Sequence, residues 1–189
     1  MTEEKKKKDY YPEVKDQTEE EKTLDAIAES IGVYDEGLGR RMVDLGYDKD
    51  TAFLIGFIPI IQVAWADGKV DARETKKLYE LAESRGLEKG SKGEEFFKKL
   101  ITEKPDDEFF TRSLKIINEI VAKLPEKTRK ESLKDLSSYC IAIATASGGV
   151  MGFGKKISEE ERKLMREMAE ELGTGQSESA KKLLSQLVE

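Results

Sequence analysis

Ala52-Phe53-Leu54-Ile55-Gly56-Phe57-Ile58-Pro59-Ile60-Ile61-Gln62-Val63-Ala64-Trp65-Ala66 runs directly into Asp67-Gly68-Lys69-Val70-Asp71-Ala72-Arg73-Glu74, and then into an amphipathic segment reaching Glu83. The reading of this stretch decides the fold. An apolar helix ends, a tight turn follows, and a second helix starts. Gly68, just past the apolar helix, is read as its left-handed cap, because glycine has no Cβ to clash there. Asp71 suits the N-cap, where its carboxylate accepts from an orphan backbone N–H, and Glu74 three residues on completes a capping box. Val70 precedes the cap, as an apolar residue does in a hydrophobic staple.

A worn copy follows near the C-terminus. Ala142-Ile143-Ala144-Thr145-Ala146-Ser147-Gly148 leads, after the insertion Gly149-Val150-Met151-Gly152-Phe153-Gly154-Lys155, into Lys156-Ile157-Ser158-Glu159-Glu160-Glu161. Ser158 and Glu161 take the places of Asp71 and Glu74, and Ile157 that of Val70. Ser147 stands where the first copy has Asp67. The insertion is rich in glycine but has no Gly-Lys-Ser/Thr and no preceding strand, so it is not a phosphate loop. Its apolar tip is expected to tuck into the core, with partner contact as the alternative.

Capping accounts for Asp71 and Glu74 but does not require an acid at Asp67. Three carboxylates on one turn can also hold a hard cation through oxygen ligands. An EF-hand is a poor match. Counted from Asp67, loop position 3 is Lys69, the glycine position is Ala72 and the final glutamate position is Leu78. A cation here would sit in another geometry.

The run from Ala64 to Glu74 resembles the signature of the TerB-like family, which includes bacterial tellurite-resistance proteins and a related domain of some membrane-anchored DnaJ-type co-chaperones. Ala146 to Gly149 and Ile157 to Glu161 look like its second half, so the resemblance spans about Leu45 to Val188. It implies an all-helical, internally duplicated cytoplasmic domain linked to tellurite resistance and chemical stress. It also implies a metal-associated acidic site, carried over as Asp67, Asp71 and Glu74 with Glu161 as the counterpart in the second half. Ser147 and the insertion depart from a symmetric two-metal pattern.

Composition narrows the chemistry. The 189 residues contain no histidine, which removes the commonest general base and transition-metal ligand. The single cysteine, Cys140, excludes an intrachain disulfide and a multi-cysteine zinc site, and its apolar neighbours mark it as a buried small hydrophobe. A net charge of −6 supplies no basic excess for nucleic acid. The apolar run is broken by Gln62 and is shorter than the ~20 residues a membrane span needs, so no direct membrane insertion is expected. No signal peptide is visible, and a cytoplasmic location is expected.

In chain order, residues 1–17 are expected to be a charged flexible tail and 18–189 an all-α domain, with repeat cores near 50–86 and 126–173. Thr18-Glu19-Glu20-Glu21 is a capping box opening a helix to Ile31. Pro59 either kinks the long apolar helix or starts a second one. Ser91 with Glu94 predicts another capping box, Pro105 and Pro125 predict breaks, and Ser177 a last helix. The two apolar helices, one per repeat, are expected to pack together. A non-enzymatic binding module holding a divalent cation is the first functional reading. The alternative is a scaffold for a protein partner, such as a membrane-associated stress protein, with the acids acting only as caps. Its candidate surfaces are the 150–153 loop and the acidic face bearing Glu159, Glu160, Glu167, Glu170 and Glu171.

Overall fold

A computed structural model describes residues 17–146 and 159–171. The expectations for the N-terminal tail, Ser147, the 149–155 insertion, Ile157, Ser158 and the last helix lie outside the described residues. Within them the order is α1 (Glu19–Ile31), α2 (Glu36–Asp44), a 3-10 helix (Ala52–Phe57), α3 (Ile58–Ala64), α4 (Ala72–Ser84), α5 (Lys92–Thr102), α6 (Asp107–Lys123), α7 (Glu126–Ala146) and α8 (Glu159–Glu171). No strand occurs among the described residues.

Local chemistry sets most boundaries. The Thr18 hydroxyl accepts from the Glu21 N–H at 3.2 Å, while Glu21 Oε2 accepts from the Thr18 N–H at 2.7 Å. Gly32, at φ 69°, closes α1. Asp35 caps α2 and Asp106 caps α6. At Ser91 the expectation is half met. Its hydroxyl accepts from the Glu94 N–H at 3.1 Å, but Glu94 Oε2 takes the Gly90 N–H at 2.6 Å rather than that of Ser91. Gly90 has φ 77°, and that turn presents its N–H to the carboxylate first.

The apolar run 52–64 is two elements rather than one kinked helix. A 3-10 segment ends at Phe57 and α3 begins with Pro59 in its first turn, where a missing N–H breaks no helical bond. Gly68 is left-handed at φ 83°, but it lies in the turn beyond the cap: α3 ends at Ala64 with Trp65 as its C-cap, and the Gly68 N–H donates to the Trp65 carbonyl at 2.9 Å.

α3 is buried nearly all round, through Ile58, Ile60, Ile61, Val63 and Ala64. It packs principally against α7, which buries Cys140, Ile143 and Ala144 towards its C-terminal end. The two apolar segments thus form the centre, as their composition predicts. α4 also lies on α7, and α6 and α8 both pack on α3. Trp65 ties the end of α3 to α5, its indole N–H donating to the Leu100 carbonyl at 3.0 Å in a buried bond. That bond leaves the large ring free to serve as apolar wall.

Candidate carboxylate site

The site is built where the Trp65–Asp71 turn hands over to α4. Asp71 is extended, at φ −80° and ψ 172°, so its side chain folds over the first turn of α4. One oxygen, Oδ1, accepts from the N–H groups of Arg73 at 2.7 Å and Glu74 at 2.9 Å. Glu74 Oε2 accepts from the Asp71 N–H at 2.7 Å. The capping box expected from the sequence is complete.

Its surroundings are not those of an ordinary cap. Glu74 is only 3% exposed and Glu161, in the first turn of α8, only 2%. Asp67 is exposed and Asp71 half-buried. Burial pushes the Glu74 carboxyl up to about 7, against the pull of the Asp71 N–H, and the charges of Asp71, Glu161 and Asp67 add to the rise. The other three acids singled out in the sequence therefore all act on Glu74, from the turn before α4, its N-cap and α8. The four grade from the surface at Asp67 to the interior at Glu74 and Glu161.

The donor set is all oxygen, which suits a hard cation. It is not a ready-made cage. Among the described residues no three His, Cys, Asp or Glu side chains are arranged to ligate one ion. Asp71 Oδ1 and Glu74 Oε2 already hold backbone N–H groups.

The burial of Glu161 is the feature that the motif reading missed. The sequence reads Glu161 as the partner of Ser158 in a capping box and Glu159 and Glu160 as part of an outer acidic face, and Glu159 and Glu160 are indeed exposed. Helical spacing does separate Glu161 from them, since it lies three residues before Leu164 and four before Met165, in line with the apolar stripe of α8; its place opposite Glu74 in the comparison of the two halves points the same way. Of the acidic face considered for a partner, Glu159, Glu160, Glu167 and Glu170 are exposed. Cys140 is buried, and burial pushes its thiol up to about 12, which keeps it an inert apolar group at neutral pH.

Residues 60–183, most of the chain, match the family described as tellurite resistance protein TerB. The chain belongs to the TerB family. The match takes in most of α3, the carboxylate turn and α4 to α8, so all four acids fall inside the family domain. No curated protein and no solved structure matches the chain. Among the described residues, no helix is long and apolar enough to cross a membrane.

Proposed function

We propose that this TerB-family protein is a non-enzymatic cytoplasmic binding protein of tellurite or chemical-stress response, whose acidic junction takes up a divalent cation. One observation carries the reading. Two almost fully buried carboxyls, Glu74 and Glu161, come from different helices and repel each other beside Asp67 and Asp71. Burying like charges is unfavourable unless one is protonated or a counter-charge is present. At neutral pH a proton on Glu74 is only half held, and a cation competes with it for the carboxylate. Because two of the carboxylates also cap α4, uptake requires them to share or exchange partners, so binding is weak and coupled to the seating of α8 on α3.

Thermal unfolding of metal-stripped protein with Ca²⁺, Mg²⁺, Mn²⁺ or Zn²⁺, beside Asp67→Ala, tests this. A ligand at 100 times its dissociation constant that binds only the folded state adds about 2.7 kcal/mol. The expected result is a selective rise in melting temperature, growing as pH rises through about 7 and absent from Asp67→Ala. No rise with any ion would overturn the reading.

The completed capping box favours a second reading, in which the acids are structural and the protein is an adaptor for a protein partner, such as a membrane-associated stress protein. Deleting Gly149 to Lys155 then leaves the fold intact and abolishes partner capture; unchanged capture would contradict it.

A further inference from the structure

None of the four acids lines the cavity of about 300 Å³ that opens between the end of α3, the start of α6 and α8. Its apolar walls are Trp65, Phe110 and Leu164, the first two 8% and 3% exposed and the third half-buried. Lys104 and Lys163 bring positive charge to the lining, and Asp107, Glu160 and Glu167 bring negative charge. Gln62 also lines it, and Gln62 Oε1 is sealed from solvent with no hydrogen-bond partner.

We propose that this cavity binds a free α-amino acid with a large apolar side chain. Three features select that class. The volume lies at the small end of the roughly 300–1,000 Å³ typical of ligand sites, the scale of one compact molecule. A lining of both signs opposes a singly charged ligand with one of its sets, whereas a zwitterion offers its carboxylate to the lysines and its ammonium to the acids. Lys163 and Glu167 are already paired, but at 3.8 Å with side chains 74% and 59% exposed. Such a loose surface pair holds its members weakly, leaving both open to a ligand. The third feature is Gln62. A buried acceptor without a donor is unfavourable, and the soft terminal torsion of glutamine lets the amide turn to meet an ammonium N–H. The ligand side chain then lies against the Trp65 indole, whose own N–H is held by Leu100.

Trp65 is the only tryptophan of the chain and forms a wall of this cavity, so its fluorescence, read in metal-free buffer, follows binding there. Full-length protein is titrated with L-phenylalanine and L-leucine, with phenethylamine and phenylpropionate as probes lacking one charge each, and with glycine lacking the side chain. The expected result is a saturable change with both apolar amino acids, at least about tenfold weaker with either singly charged probe and absent with glycine. Gln62→Leu weakens binding about tenfold, and Leu164→Glu, at a half-buried wall position, abolishes it; circular dichroism confirms that each variant is folded. No saturable change with either amino acid, equal binding of phenethylamine or phenylpropionate, or full binding by folded Leu164→Glu would overturn the proposal. Since the acids of the carboxylate site are untouched, the outcome is independent of any cation response.

Discussion

Two helix starts in this molecule carry the same motif and the same hydrogen bond, yet their glutamates shift in opposite directions. At α1, Glu21 Oε2 accepts from the Thr18 N–H at 2.7 Å; at α4, Glu74 Oε2 accepts from the Asp71 N–H at 2.7 Å. Glu21 is exposed, and the backbone bond from Thr18 holds its carboxyl below the usual value. Glu74 is buried, and burial raises it to about 7, with the charges of Asp71, Glu161 and Asp67 adding to the rise. The motif alone therefore fixes where a helix begins. Burial and neighbouring charge decide whether its glutamate is a plain cap or the centre of an acidic junction.

The largest way to break the comparison is to remove the charge at Glu74. Native protein holds that proton up to about 7, whereas the unfolded chain releases it near the ordinary value of 4.5. Between those values the folded state binds more protons, so stability falls as pH rises and the loss is complete above about 7. The shift corresponds to a loss on the order of 3 kcal/mol. Glu74→Gln keeps an acceptor for the Asp71 N–H and removes the charge. Denaturant unfolding across pH should show the variant more stable than the native protein above pH 7, with the slope between 4.5 and 7 removed.

A smaller effect is expected from Asp71→Ala, which deprives the Arg73 and Glu74 N–H groups of their acceptor. Loss of such a cap costs about 1 kcal/mol, read as a lowered denaturation midpoint. Glu161→Gln sharpens the comparison without touching α4. By removing one like charge it lowers the Glu74 pKa, but leaves it above the ordinary value because burial remains the first cause; a side-chain NMR titration of Glu74 checks this. The smallest effect is at Glu21→Gln. It should slightly destabilise the protein at neutral pH, opposite in sign to Glu74→Gln, since the folded state there favours the ionised carboxyl.

Caps and breaks were legible in the sequence because they depend on residues within one turn of each other. Thr18 and Asp71 start helices as their neighbours predict, and helices end before Pro105 and Pro125 as those prolines predict. The packing of α3 on α7 was legible from matched apolar composition. What depends on distant chain was less so. Pro59 allowed two outcomes, and the burial of most of the 52–64 segment accommodates the break between the two elements. Gln62 read only as an interruption of an apolar run, and its place beside Trp65 and Phe110 exists only once α6 and α8 pack on α3. Asp67, Asp71 and Glu74 share a turn and could be grouped from spacing. The spacing of Glu161 to Leu164 and Met165 places it on the inner face of α8, but its meeting with Glu74 arises only from the docking of that helix.

The most direct measurement is a carboxyl carbon NMR titration following Glu21 and Glu74 in one sample of native protein. The account predicts that Glu21 titrates below the ordinary glutamate value and Glu74 near 7. If both titrate together in the ordinary carboxylate range, Glu74 is a plain helix cap and the acidic junction does not exist.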